Sequence, residues 1–185
     1  MKNLIILLAA ILLAASLPAQ RFFSKSARIT FDATSASSPE KIEGTSRTAT
    51  CVFDLQSGAV QFAVLMKGFE FERALMEEHF NENYVESNRF PKAEFRGSIQ
   101  QPETISLAKD GTYTVKIKGI LTLHGKSKEV ETEGKLTVAG GKLTAASADF
   151  SVALADFDVS IPGLVADKVA KQAKIKVNCN LEPLK

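Results

Sequence analysis

Residues Tyr113–Val138 read YTVKIKGILTLHGKSKEVETEGKLTV. Tyr113, Val115, Ile117, Gly119, Leu121 and Leu123 hold every second position, with Lys and Thr filling most of the places between. From Val130 the pattern returns through Thr132, Gly134, Leu136 and Val138. A period of two marks a strand with one buried and one wet face. Two such runs around His124–Gly125 read as antiparallel neighbours, with Gly125 allowing a turn or bulge. His124 lies on the parity opposite Leu121 and Leu123, so alternation points it outward or into a rim.

Working outward from this pair, the same alternation recurs until eight strands are counted. Ala27–Phe31 is the first, Ala49–Leu55 the second and Val60–Met66 the third, after a turn at Ser57–Gly58. Ala93–Ile99 is the fourth, and the Tyr113 and Val130 runs are the fifth and sixth. Gly140–Gly141 then supplies a hairpin turn. A seventh run, from about Leu143 to Phe157, changes parity near Asp149, as a bulge would make it do. Ile175–Leu181 is the eighth. Two stretches depart from the rule: Glu72–Asn83 has helical character, and Pro162–Gln172 can form a second short helix. Mostly sequential antiparallel strands avoid exposed edges by closing on themselves. The fold expected is therefore an all-β, eight-stranded antiparallel barrel with one or two short helices. An immunoglobulin-like sandwich competes, but its usual tryptophan is missing, because the chain contains none.

A barrel of this size is either packed with side chains or holds one small ligand. Gly68, Gly97, Gly119 and Gly134 fall on the apolar parity, with Ala49, Ala93 and Ala145 as further small positions. These residues leave room inside, or else mark bends at barrel corners. Phe53, Phe62, Val64, Met66, Phe95, Tyr113, Val115, Ile117 and Leu121, together with Gly119 and Gly134, are the candidate lumen residues. A cavity among them would be apolar and aromatic, suited to a lipid tail.

Residues 1–19 place Lys2 before an apolar run from Leu4 to Ala15, then small residues and a proline. This is the build of a secretory signal peptide, which leaves residues 20–185 as one exported domain, periplasmic or secreted. Removing Lys2, the only charge in that segment, takes the formal net charge from +2 to +1. Nucleic-acid binding relies on clustered Lys and Arg, whereas the lysines here alternate with apolar residues along strands. Nucleic acid is not an expected partner, nor is a membrane-spanning segment expected after cleavage, and the oligomeric state is left open. Cys51 and Cys179 both sit on the apolar parity. In an exported protein they can bond, or remain buried as two small hydrophobes, the reading that leads.

Catalytic constellations are missing. No GxSxG elbow occurs and no cysteine has a local activating partner, so no catalytic residue is assigned. His79 and His124 are rim candidates only. His79 with Glu78 and Glu82 is the nearest approach to a metal site and falls short of three or four ligands at short spacing. No metal or cofactor is expected.

LTLHGKSKEV at Leu121–Val130 is similar to the LTxHGxTKxV pattern of the YceI-like family, with Ser127 at the usual threonine. RFPKAEFRGSI at Arg89–Ile99 resembles the family's YP-x-hydrophobic-x-F segment, and ADFDVSIPGLVADKVAKQAKIKV at Ala155–Val177 the DY/DF-x-I-x-IP ending of a subgroup. FNENYVES at Phe80–Ser87 resembles one subgroup, where the broader family has an HLRSPDFFD-like segment. The resemblance implies a lipocalin-like barrel that holds a polyisoprenoid or similar long-chain amphiphile for carriage, storage or sequestration. An enzyme of lipid or isoprenoid metabolism using the same pocket, and an interaction module with a solid core, are the alternatives.

Overall fold

The computed structural model describes residues 21–184, so the expected signal peptide lies outside the described residues. Eight long strands alternate buried and exposed side chains as the sequence does: β1 (Arg21–Thr34), β2 (Glu43–Asp54), β3 (Ala59–Leu65), β5 (Lys92–Ile99), β6 (Gly111–Leu123), β7 (Lys126–Ala139), β8 (Lys142–Ala153) and β9 (Val169–Asn180). Two-residue strands, β4 (Glu70–Phe71) and β10 (Glu182–Pro183), are added at β2 and β1. Every pairing is antiparallel, in the order β1-β9-β8-β7-β6-β5-β3-β2, and the β1–β2 pairing closes the sheet on itself. The barrel is thus the expected eight-stranded one.

The β6–β7 hairpin is continuous from Gly111↔Val138 to Leu123↔Lys126. His124 and Gly125 form its two-residue turn with φ of 50° and 73°. That left-handed pair matches the twist of the strands it joins. Its partner on the other side, β7–β8, turns at Gly140–Gly141 with φ of 59° and 76°.

Two details differ from the sequence reading. The parity change in β8 comes at Thr144, not near Asp149: Leu143 pairs with Val138 but Ala145 with Thr137, leaving Thr144 as the extra residue. Its carbonyl accepts the Leu181 N–H at 2.9 Å, where β9 ends. Ala145 consequently faces outward, and Ala146 and Ala148 face inward opposite Leu136 and Gly134. Phe157 lies beyond the strand, in a 3-10 turn over Leu154–Phe157.

The expected second helix is reduced to one 3-10 turn, Gly163–Val165. Val169 and Gln172 are drawn instead into register with Thr34 and Ala153, and sheet pairing on both sides outweighs local helical tendency. The first helix forms as α1 (Ala74–His79), continued by a π-type turn through Phe80–Tyr84 in which the Val85 N–H bonds the Phe80 carbonyl at 2.9 Å. Six residues are too few to be stable alone, so tertiary contacts hold α1. Among the described residues no helix is long and apolar enough to cross a membrane.

Alternate connections share an end of the barrel. At one end, Phe22, Val60, Leu136, Val138 and Leu143 are at most 1% exposed and fill the space between the strands. The other end carries the 35–42 loop, α1 with its π-type turn, the His124–Gly125 turn and the 154–168 segment.

Candidate functional site

The barrel is hollow. A cavity of roughly 470 Å³ opens at the second end, within the size range of sites that hold one small molecule, about 300–1,000 Å³. Its walls are built from inward positions of the strands: Ile29 and Phe31 of β1, Phe53 of β2, Phe62 and Val64 of β3, Ile117 and Leu121 of β6, Phe150 and Val152 of β8, and Ile175 and Val177 of β9. Ser38, Glu40, Arg73, His79, Tyr84 and Lys168 bring the polar side chains of the mouth. Arg73, just before α1, spans to the 35–42 loop through an ion pair with Glu40 at 2.6 Å.

Of the candidate lumen residues, Phe53, Phe62, Val64, Met66, Phe95, Ile117 and Leu121 line this cavity, whereas Tyr113, Val115, Gly119 and Gly134 do not. Tyr113 and Val115 belong to the filled end of β6. The Tyr113 hydroxyl donates to the Lys109 carbonyl at 2.8 Å and so holds the β5–β6 loop.

The glycines leave gaps that neighbours occupy. Gly97 and Gly119 are cross-strand partners, and the tip of the Phe95 ring lies over both, where a Cβ on either would come within 2.7 Å of it. The two backbones also approach so closely that a Cβ on Gly119 would sit 2.4 Å from the Gly97 Cα. Ile117 Cδ1 covers Gly134 in the same way, 2.7 Å from where a Cβ would be. Gly68 is not in a strand but ends a 3-10 turn beside Thr48 and Ser46. The room expected from these positions is therefore taken up by the rings and methyls that form the wall.

Sequence reasoning missed one side of the cavity. Phe31, Phe69, Phe71 and Phe80 form a cluster, with Phe31 stacked on Phe80 at 5.1 Å and Phe71 5.0 Å from Phe80, and all four line the cavity. The signal was present in FEFE at Phe69–Glu72, where apolar and acidic residues alternate. It is too short to stand out beside the helical stretch that follows.

The two rim histidines diverge. His79 lines the mouth from α1. His124 is not on the cavity wall: Nδ1 lies 2.9 Å from the Phe157 carbonyl and Nε2 2.8 Å from Glu86 Oε2. The Phe90 ring meets the imidazole edge-on at 4.6 Å and also covers Gly125. The histidine thereby ties the β6–β7 turn to the segment after α1 and to the turn after β8. Among the described residues no group of three or more His, Cys, Asp or Glu side chains is placed to share a metal ion.

Cys51 and Cys179 are buried, unbonded thiols. They face each other across the inner face of β1, which runs between their strands. The contact holds the Cys51 thiol below its ordinary value, and the same contact, with burial, pushes Cys179 up.

The family model for the YceI-like domain matches residues 21–181. The chain belongs to the YceI-like family. Among solved structures, a polyisoprenoid binding domain from Saccharophagus degradans implicated in plant cell wall breakdown superposes with a TM-score of 0.74 at 11% identity, covering 90% of this chain and 99% of that one. BcnA of Burkholderia cenocepacia gives 0.65 at 16% identity, over 84% of this chain and 96% of its own. The YCEI protein of Campylobacter jejuni gives 0.56 at 17%, over 76% and 85%. At these identities the YceI-like structures attest the fold. No curated protein matches the chain.

Proposed function

We propose that this YceI-like protein is exported and holds a polyisoprenoid or similar long-chain amphiphile in its barrel, as a carrier, store or sequestering protein that binds and does not turn over its ligand. The observation that carries this reading is the cavity of roughly 470 Å³, walled by phenylalanine and aliphatic side chains and open at one end. Apolar walls favour an apolar guest because both leave water on contact. Strands of 12–14 residues, rising about 3.3 Å per residue and tilted about 40°, make a wall about 30 Å tall, and the part above the filled end is apolar and open to the tail of such a guest. The polyisoprenoid binding named for the Saccharophagus degradans domain, over nearly the whole of its length, supports the choice of ligand class.

The experiment is to purify the protein from a host that makes isoprenoids, extract it with organic solvent and identify the released material by mass spectrometry. The expected result is a long-chain isoprenoid or acyl lipid at up to one per chain. Repeated extraction that yields nothing, from protein that also binds no added isoprenoid, overturns the proposal.

A further inference from the structure

The walls of the cavity account for a tail but not for a head. We propose that the Tyr84 hydroxyl is the head-group contact, a hydrogen-bond donor that selects amphiphiles carrying an oxygen acceptor at the end of the chain. This rests on the carrier reading above and adds a specificity residue to it.

The π-type turn after α1 positions the side chain. Phe80 and Tyr84 begin and end that turn, and both line the cavity. Phe80 packs into the phenylalanine cluster, while Tyr84 packs against the apolar group of Ala33, Val152 and Phe157 near the mouth. Tyr84 is half-buried there. Burial pushes its hydroxyl above the ordinary tyrosine value, with no hydrogen bond contributing.

The other polar groups of the mouth are accounted for. Arg73 is paired with Glu40, the Ser38 hydroxyl donates to the Glu40 carbonyl at 2.6 Å, and His79 and Lys168 reach solvent. Among the described residues of the mouth, Tyr84 joins an apolar setting to a hydroxyl that makes no hydrogen bond within the protein. A tyrosine with an apolar body and a polar tip suits the boundary between a greasy tail and a wet head. A guest whose tail fills the barrel brings its terminal oxygen to this height and satisfies the group.

Phytol and phytane share a branched isoprenoid skeleton, and phytol alone carries a hydroxyl. Their affinities for lipid-depleted protein are read by displacement of a bound fluorescent fatty-acid probe. Wild type is expected to bind phytol about three- to tenfold more tightly than phytane, the worth of one hydrogen bond. Tyr84→Phe keeps the ring and is expected to erase that preference while leaving phytane affinity unchanged. Equal affinities in wild type, or a phytol preference that survives in Tyr84→Phe, overturn the assignment and leave the carrier reading intact. Loss of phytane along with phytol in the variant makes Tyr84 a wall residue and overturns it too. Failure of wild type to bind either probe removes the carrier reading, and the assignment with it.

Discussion

His124 and Glu86, 38 residues apart in sequence, meet at 2.8 Å, and both hold left-handed backbone, with φ of 50° and 45°. Neither is a glycine, and such conformations persist in ordinary residues only where surrounding contacts fix them. The contacts are visible. Because the Phe157 carbonyl can only accept, Nδ1 of His124 must donate to it. His124→Asn, which tolerates the left-handed turn but cannot span both partners, should cost about 1–2 kcal/mol in chemical denaturation. His124→Val, β-branched, should cost at least about 1 kcal/mol more through backbone strain. Equal stability of the two variants would remove the strain argument.

Acid should destabilise the barrel through carboxylates such as Asp54. The Ser57 N–H, then the Arg21 guanidinium, hold its carboxyl below the ordinary value. Asp158 is held low by the Lys126 ammonium at 2.8 Å. The sign follows from linkage: a carboxylate with a lowered folded value binds fewer protons in the folded chain than in the unfolded one, so its contribution is present above the unfolded value, about 3.9, and is lost as pH falls through the folded value. The melting temperature should be level near neutrality and fall below about pH 4. In Asp54→Asn that fall should be shallower. An identical acid slope in the variant would show that Asp54 plays no part.

The barrel was legible because alternation survives in all eight long strands, and one buried face fixes register as well as strand identity. Phe53, Phe62 and Leu121 were found on the cavity wall for the same reason. Alternation cannot tell what fills a gap, however. Gly119 has the right parity for a lumen, but the space beside it belongs to Phe95, two residues before its cross-strand partner Gly97. Nor can it see contacts made by irregular segments, which is why Tyr84 and the partners of His124 emerged only in three dimensions.

Cys51 and Cys179 should titrate as two thiols in denatured, unreduced protein. Their strands flank β1, and two strand spacings amount to about 9–10 Å in a flat sheet. Curvature shortens that span, yet a disulfide needs Cα atoms no more than about 7 Å apart. The thiols face each other across β1 and are unbonded. A chain with no reactive thiol that regains two on reduction would show that the strands close up and that the bond forms.

The strongest contrast lies between two substitutions that add the same side chain to the inner face. Gly119→Leu places its Cβ 2.4 Å from the Gly97 Cα and 2.7 Å from the Phe95 ring, so the strands must part or the ring must leave its rotamer. Overpacking of this kind costs about 1–3 kcal/mol, and more where backbone is the obstacle. Ala148→Leu instead projects from a cavity-lining position of β8 into open space. It should melt within a few degrees of wild type while occupying volume that a bound chain would use. Thermal melting and solvent-extractable lipid, measured on the same samples, separate the two: Gly119→Leu should lose stability, and Ala148→Leu should stay folded but carry less lipid. If Ala148→Leu instead unfolds the barrel, the cavity is closed in solution and the lumen is a packed core.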